Sequence, residues 1–214
     1  MIASFTNNFI FVKSRKVGGT SLEIILSSWC SGPDVCTPIA YIDEETRTQF
    51  GGEVRNNRYP DGSIRFYNHM PAADIRAELP GLWEKAFKFS VERHPYEKVL
   101  SRAWWEIGKP DGFHDSTLEK EIDLAIETGS YLNYPYYCVD GVPIVDELWR
   151  FEEMWDRLAE LGARIGRTVP EKRPRSKSQF RKDRRPAREV LTKEQRRRIA
   201  EDARIEFELL GFEP

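Results

Sequence analysis

Cysteine is scarce in this sequence, with Cys30, Cys36 and Cys138 as its three members. An odd number without a Cys-x-x-Cys pair predicts neither a disulfide framework nor a zinc site, and a reducing compartment suits such a chain best. No apolar run approaches the ~20 residues that a membrane span requires. Residues 1–8 lack the charged and apolar regions of a signal peptide. We therefore expect a cytoplasmic protein without membrane contact.

Metal-ligand clusters and internal repeats are also missing. The three histidines, His69, His94 and His114, are not spaced with cysteines or carboxylates in a metal-binding pattern. No Gly-, Ser- or Pro-rich linker divides the chain. The sequence thus predicts one domain over residues 1–214 that needs no metal.

Charge is abundant but unevenly placed. Residues 164–204 hold 16 Lys and Arg against 6 Asp and Glu, whereas residues 1–163 hold 17 against 26. A basic segment on an acidic protein predicts an anionic partner, although a merely solvated basic helix is the alternative. Nucleic acid is disfavoured because no nucleic-acid-binding module is recognisable.

Apolar periodicity predicts strands that alternate with helices. Phe9–Val12 is typical of a strand buried on both faces, and Leu22, Ile25 and Leu26 follow at helical spacing. Further strands are expected at 64–67, 86–91 and 144–149, and helices are expected to open at Pro71, Pro95, Ser116 and Thr192. The first of these helices is expected to break at Pro80-Gly81. The second is expected to have an apolar stripe of Tyr96, Val99, Leu100, Ala103 and Ile107. Residues 43–63 and 172–188 are expected to be loops. The pattern predicts an α/β domain in which helices flank a central parallel sheet.

The loop between the first strand and the first helix, Lys13–Ser21, suits an anion. Two glycines allow the backbone N–H groups to face a ligand, and the helix that follows adds its positive end. The two glycines are Gly18 and Gly19. Lys13, Arg15 and Lys16 add positive charge, and Thr20 and Ser21 add hydroxyl donors. We therefore predict that this loop binds a phosphate-like group.

Two other interpretations of the loop remain open. A nucleotide triphosphate loop places its lysine directly after the last glycine, whereas Lys16 precedes the glycines, so a P-loop kinase is disfavoured. Thr20–Glu23 also fits a simple capping box, in which the glycines only make a turn.

A second anion-binding pattern follows the strand expected at 86–91. Arg93 lies at the strand's carboxyl end, where open α/β sheets bind ligands, and Ser101 lies eight residues later in a helix. Arginine suits bidentate phosphate contact. An Arg–Glu surface pair beside an ordinary helical serine is the alternative.

Together these segments resemble the PAPS-dependent sulfotransferases, which use 3′-phosphoadenosine 5′-phosphosulfate (PAPS) as donor. The loop is similar to the Pro-Lys-Thr-Gly-Gly-Thr-Ser pattern of the carbohydrate-type branch; Lys16, Gly18, Gly19, Thr20 and Ser21 match, while Arg15 and Val17 depart. Residues 93–101 resemble the family's second pattern, Arg-Asn-Pro-x-x-Arg-x-x-Ser. Arg93, Pro95 and Ser101 match it, whereas His94 replaces the asparagine and Lys98 replaces the second arginine. Residues 145–153 resemble a third segment, whereas 34–63 and 108–135 match poorly.

The resemblance implies a P-loop-NTPase-like sulfotransferase fold, and transfer of a sulfuryl group to a hydroxyl, less readily an amine, of a small molecule or carbohydrate. PAP would be the product. Lys16 would stabilise the leaving phosphate, and Arg93 with Ser101 would bind the 3′-phosphate. The basic segment 172–182 resembles a late loop over the nucleotide, with Arg175, Lys177, Ser178 and Arg181 as candidates for the 3′-phosphate and Phe180 beside adenine. The alternative is that this basic segment binds an anionic acceptor.

A general base is also expected, because a hydroxyl acceptor loses its proton as it attacks sulfur. By resemblance we assign this role to His69. One alternative is that His69 only makes structural hydrogen bonds to the helix or backbone. Another is that Glu23 or Glu92 is the base. His94 is expected to be structural, and His114 lies in a polar loop that could touch the acceptor. A PAP-binding regulator on the same fold is the alternative function. Neither the acceptor's identity nor the oligomeric state follows from the sequence.

Overall fold

Strands form one five-stranded sheet and one hairpin in the computed structural model, which describes residues 1–109, 111–113, 115–176 and 180–214. The strands are β1 (Ile2–Ser4), β2 (Phe9–Val12), β3 (Val35–Cys36), β4 (Phe87–Glu92), β5 (Cys138–Val139), β6 (Val142–Pro143) and β7 (Glu147–Arg150). The sheet has the order β3-β1-β2-β4-β7, and β5 pairs with β6 in the hairpin.

The central sheet is mostly parallel, with one antiparallel member. β2 and β4 pair in parallel from Phe9↔Phe87 to Val12↔Ser90. β1 is antiparallel to both of its neighbours, β2 and β3. The expected central parallel sheet is therefore confirmed for most of its strands, and β1 is the exception. β1 is only three residues long, too short to show a period, although all three of its residues are buried.

Eleven helices are found in the described residues. They are α1 (Gly19–Ser28), α2 (Tyr41–Gln49), α3 (Ala72–Glu78), α4 (Pro80–Trp83), α5 (Pro95–Gly108), α6 (Leu118–Thr128), α7 (Tyr134–Tyr137), α8 (Met154–Arg164), α9 (Ala187–Val190), α10 (Lys193–Asp202) and α11 (Arg204–Leu210). The capping box expected at Thr192 is present, with both of its hydrogen bonds to or from Gln195.

Three local predictions were wrong. Residues 64–67 form no strand: they contribute one bridge, Arg58↔Ile64, and the Ile64 side chain is 60% exposed. Residues 41–49 form α2 where a loop was expected. Pro80 opens α4 instead of breaking a helix, because its fixed φ and missing N–H suit a first helical turn.

The chain divides into two compact units. The sheet unit comprises Met1–Ser14, Gly18–Val91 and Pro135–Ser176. The helical unit comprises Arg15–Val17, Glu92–Tyr134 and the described residues of Lys177–Pro214.

The core of the sheet unit covers both faces of the sheet. On one face Ile10 and Val12 pack into a buried cluster with α3 and α4, which includes Ile75 and Trp83. Alternate residues of a strand point to opposite faces, and the other face carries aromatic rings. Phe89 stacks between Phe11, at 5.2 Å, and Trp149, at 4.0 Å between ring centroids.

The helical unit has a core of its own. Of the stripe of α5 expected from the sequence, Tyr96, Val99, Leu100 and Ala103 are buried there, whereas Ile107 is half-buried. The stripe packs with α6, α9, α10 and α11 through Ile122, Ile126, Leu191, Ile199 and Phe207. The apolar face of α5 is therefore anchored in this core, and its polar residues lie on the other faces.

Candidate functional site

The Lys13–Ser21 loop begins at the carboxyl end of β2. The Ser14 hydroxyl donates to the Val91 carbonyl at 2.5 Å, and the Ser90 hydroxyl donates to the Val12 carbonyl at 2.7 Å. These bonds tie the ends of two parallel strands together in the sheet unit. The loop therefore starts from a fixed point.

Gly18 occupies a position that requires glycine. It caps α1 with φ +73°, in the left-handed region. A β-carbon there would lie 2.9 Å from a ring carbon of Phe151 and 3.1 Å from the methyl carbon of Met154. Backbone conformation and available space both exclude larger residues at this turn.

The amino terminus of α1 suits a negative charge. Gly18 provides no side-chain cap, and the first turn of α1 has no acidic residue. Thr20 and Ser21 lie in that turn, 8% and 6% exposed. The helix begins at Gly19, so Thr20 is not its cap, and the capping-box interpretation does not describe this turn. The positive end of a helix dipole stabilises an anion at such a place.

Lys13 is not available as a surface charge. Its ammonium lies 2.5 Å from the Glu23 carboxylate, and both side chains are buried. Burial raises the pKa of Glu23, but Lys13, the terminal amine and Arg47 together lower that pKa to about 2. Glu23 is thus an ionised structural partner of Lys13 and poorly placed to act as a general base.

His69 lies beside the start of the loop. Its Nδ1 is 3.1 Å from the Lys13 carbonyl oxygen, and its backbone has φ +61°. A carbonyl only accepts, so Nδ1 carries a proton, and in the neutral form of the ring the lone pair is on Nε2. The ring centroid lies 6.1 Å from that of Tyr136. The side chain is half-buried, and its tautomer suits a base that acts through Nε2.

The late basic segment reaches the loop through its backbone. The Ser176 N–H donates to the Ser21 hydroxyl at 3.3 Å, within the sheet unit. The neighbouring Arg175 side chain is exposed. Lys177, Ser178 and His114, all named in the sequence analysis, lie outside the described residues.

In the helical unit, Lys16 lies against an aromatic face. Its ammonium is 4.9 Å from the centre of the Trp105 ring, and Phe180 packs edge-on against Trp105 at 5.0 Å. The Lys16 backbone has φ +61°. The other four non-glycine residues with positive φ in the described part of the chain are Asn, Asp or His. Those types adopt this region most easily, so Lys16 is the unusual case.

Two of the arginines assigned to the 3′-phosphate meet at one carboxylate. Arg93 lies 3.2 Å from Glu97, and Arg181 is bonded to the same carboxylate oxygen. The Ala187 N–H donates to the other oxygen at 2.8 Å. Burial raises the pKa of Glu97, but Ala187 and the two arginines lower it below its usual range. Ser101 follows Glu97 by four residues and shares its face of α5.

Lys98 has a structural role, although it falls on a motif position. Its side chain is fully buried between Glu92, at 2.9 Å, and Glu206. Burial raises the pKa of Glu92 to about 7; Lys98 opposes this shift and Glu206 adds to it. Glu92, the second alternative base, therefore belongs to a buried cluster. His94 caps α5 by accepting the Tyr96 N–H, as its expected structural role requires.

Sequence reasoning missed three residues of this region: Glu97, Trp105 and Asn133. Arg93, Glu97, Ser101 and Trp105 recur at intervals of four, so helical spacing alone could have placed them on one face. Asn133 carried no such signal, because the residue that it contacts, Arg15, lies 118 positions away.

No family model, curated protein or solved structure matches this chain. Among the described residues, no three His, Cys, Asp or Glu side chains gather where they could hold a metal ion. Within the same residues, every helix is too short or too polar to cross a bilayer. The resemblance to sulfotransferases therefore depends on the loop and the segments around Arg93 and Arg150.

Proposed function

We propose that this protein is a PAPS-dependent sulfotransferase. The proposal is supported mainly by the backbone conformation of the loop between β2 and α1, in which Lys16 and Gly18 both have a positive φ. Lys16 is the residue to which the resemblance assigns the leaving phosphate. A lysine held in an unfavourable conformation at a predicted catalytic position is typical of a functional site.

Each of the two units, taken by itself, has groups that suit a phosphosulfate donor. In the sheet unit, the amino terminus of α1 offers backbone N–H groups with the hydroxyls of Thr20 and Ser21. In the helical unit, Lys16, Arg93 and Arg181 provide cations. Lys13 is not one of these cations, because its ammonium is buried in an ion pair with Glu23. The amide and hydroxyl groups of the sheet unit and the cations of the helical unit are, each set by itself, of the kind that binds a phosphate-like group.

Lys16 and His69 would divide the catalytic work. PAPS, when bound, supplies the sulfuryl group and leaves as PAP. The Lys16 ammonium would stabilise the negative charge that forms on the leaving phosphate. Nε2 of His69 would accept the proton of the acceptor hydroxyl, while Nδ1 keeps the ring oriented through the Lys13 carbonyl.

Binding and transfer test different parts of this proposal. Binding is measured by calorimetry with PAP, with ATP and magnesium in parallel, because a kinase would show no preference for PAP. Transfer is measured with radiolabelled PAPS and a panel of small-molecule and carbohydrate acceptors that carry hydroxyls or amines. PAP binding with transfer to at least one acceptor supports the enzyme. PAP binding without transfer supports a regulatory protein, and a lack of PAP binding contradicts both.

A further inference from the structure

Asn133 is a fully buried amide that holds one residue of the loop on both sides. Its Oδ1 accepts the Arg15 N–H at 2.9 Å, and its Nδ2 donates to the Arg15 carbonyl at 2.8 Å. An antiparallel strand makes the same pair of bonds to its neighbour. The side chain of Asn133 therefore fixes the backbone of Arg15 as a strand would.

The residue after this clamp is Lys16. Its positive φ is unfavourable for any residue with a β-carbon, so neighbouring contacts must hold it. Asn133 fixes the backbone on the amino-terminal side of Lys16. Trp105 contacts the ammonium at the far end of its side chain. Both contacts lie within the helical unit.

Asn133 is itself anchored in the buried charge cluster. Its backbone N–H is bonded to Glu206, and its Nδ2 lies 3.4 Å from Glu92. Lys98 is bonded to both carboxylates. Glu92 also accepts the N–H of Arg93 at 2.6 Å. One network in the helical unit thus reaches the backbones of Arg93 and, through Asn133, of the loop.

We propose that Asn133 is a positioning residue, which holds the backbone of Arg15 so that Lys16 presents its ammonium to the phosphosulfate donor. The identity of that ligand rests on the proposed function, whereas the clamp on Arg15 does not. Asn133 acts through Lys16 and not by contact with the donor. A positioning role differs from a general structural one because its loss changes the loop more than the rest of the fold.

The test compares Asn133→Ala with Tyr131→Phe in the full chain. Tyr131 is a fair control because it is fully buried two residues earlier, and its hydroxyl has no hydrogen-bond partner among the described residues. NMR measures amide hydrogen exchange at Arg15, and calorimetry measures PAP affinity. Asn133→Ala should speed exchange at Arg15 and weaken PAP binding, each by roughly tenfold, since one net hydrogen bond is worth about that factor. Tyr131→Phe should change neither.

A second variant, Asn133→Asp, keeps the shape of the side chain and adds a pH readout. The ionised carboxylate cannot donate to the Arg15 carbonyl, and it lies beside Glu92, which Lys98 links to Glu206. Protonation restores a donor. The ratio of variant to wild-type PAP dissociation constants should therefore fall as the pH is lowered from about 8 to about 5, since nearby carboxylates favour the protonated form.

The outcomes separate this inference from the proposed function. Unchanged Arg15 exchange in Asn133→Ala overturns the positioning role, whatever the ligand. If that variant does not fold, a pH-independent ratio for Asn133→Asp overturns it instead. If the wild type binds no PAP, the proposed function fails, while faster exchange confined to residues 15–17 still supports the clamp.

Discussion

The Nδ1 atom of His69 lies 3.1 Å from the carbonyl oxygen of Lys13, the first residue of the loop. This contact joins a candidate base to the segment proposed to hold the donor. It also selects the tautomer whose Nε2 carries the lone pair. Both residues are in the sheet unit, so the relationship is a property of one compact part of the protein.

His69→Ala should lower the rate of sulfuryl transfer by about 10²–10⁴, the usual contribution of a general base. PAP affinity should stay within about twofold of the wild type, because a base acts on the acceptor and makes no charge pair with the donor. Steady-state transfer and calorimetry check the two halves. A transfer rate that is unchanged in His69→Ala would remove this residue from the mechanism.

Gly18→Ala should destabilise the fold and abolish PAP binding, because it adds a clash with Phe151 to the cost of φ +73°. Gly166→Ala is the matched control: the φ of Gly166 is +69°, and no other part of the described chain lies within 4 Å of the added carbon. Gly166→Ala should lose only the folding free energy that a positive φ costs a residue with a β-carbon, about 1–3 kcal/mol. Thermal denaturation should rank wild type above Gly166→Ala above Gly18→Ala. Equal losses in the two variants would show that the clash has no effect.

Glu97→Gln should tighten PAP binding by roughly fivefold at low salt. The change removes a negative charge that Arg93 and Arg181 share, yet it leaves an acceptor for the Ala187 N–H. An ion pair between partly exposed side chains contributes up to about 1 kcal/mol, which corresponds to roughly a fivefold change in PAP affinity. The gain should shrink as salt is added. Weaker binding at every salt concentration would mean that Glu97 orients the arginines instead of competing for them.

Glu92→Gln should make stability less dependent on pH. The folded pKa of Glu92 is raised to about 7, so its protonated form is favoured by folding. The stabilisation from this proton is complete below the unfolded pKa of about 4.3 and is lost as the pH rises through about 7. Relative to wild type, the variant should therefore gain up to about 3 kcal/mol between pH 4 and pH 8.

Denaturant titrations across that range measure the difference, with Glu194→Gln as control. Glu194 is 65% exposed, and its salt bridge to Arg197 lies on the surface of α10. A difference between Glu92→Gln and wild type that does not change with pH would contradict the raised pKa of Glu92.

The sequence predicted the parts of this fold that have a strong local signal. β2 and α1 follow from apolar spacing, and α5 follows from Pro95 with its buried stripe. β1 gave no signal, because three residues cannot show a period and its burial comes from its neighbours in the sheet. The strand expected at 64–67 failed because Ile64 points to solvent.

The candidate site could be predicted only in part, because several of its contacts join residues that are far apart in the sequence. Motif spacing indicated Lys16 and Arg93, but not their distant contacts with Trp105 and with the carboxylate that Arg181 shares. It could not indicate that Lys98 would pair with the distant Glu206, since that pairing depends on tertiary contact. Nor could it show that Lys13 would be neutralised by Glu23, ten residues further on.

PAP affinity in the wild type and in Lys16→Ala tests the central claim most directly. Lys193→Ala is the matched control, because it removes an exposed lysine at the start of α10. The wild type and the control should bind PAP equally, and Lys16→Ala should bind it at least about tenfold more weakly, as expected when a charge-assisted contact is lost. A wild type that binds no PAP, or a Lys16→Ala variant that binds it as well as the control does, would contradict the proposed donor site.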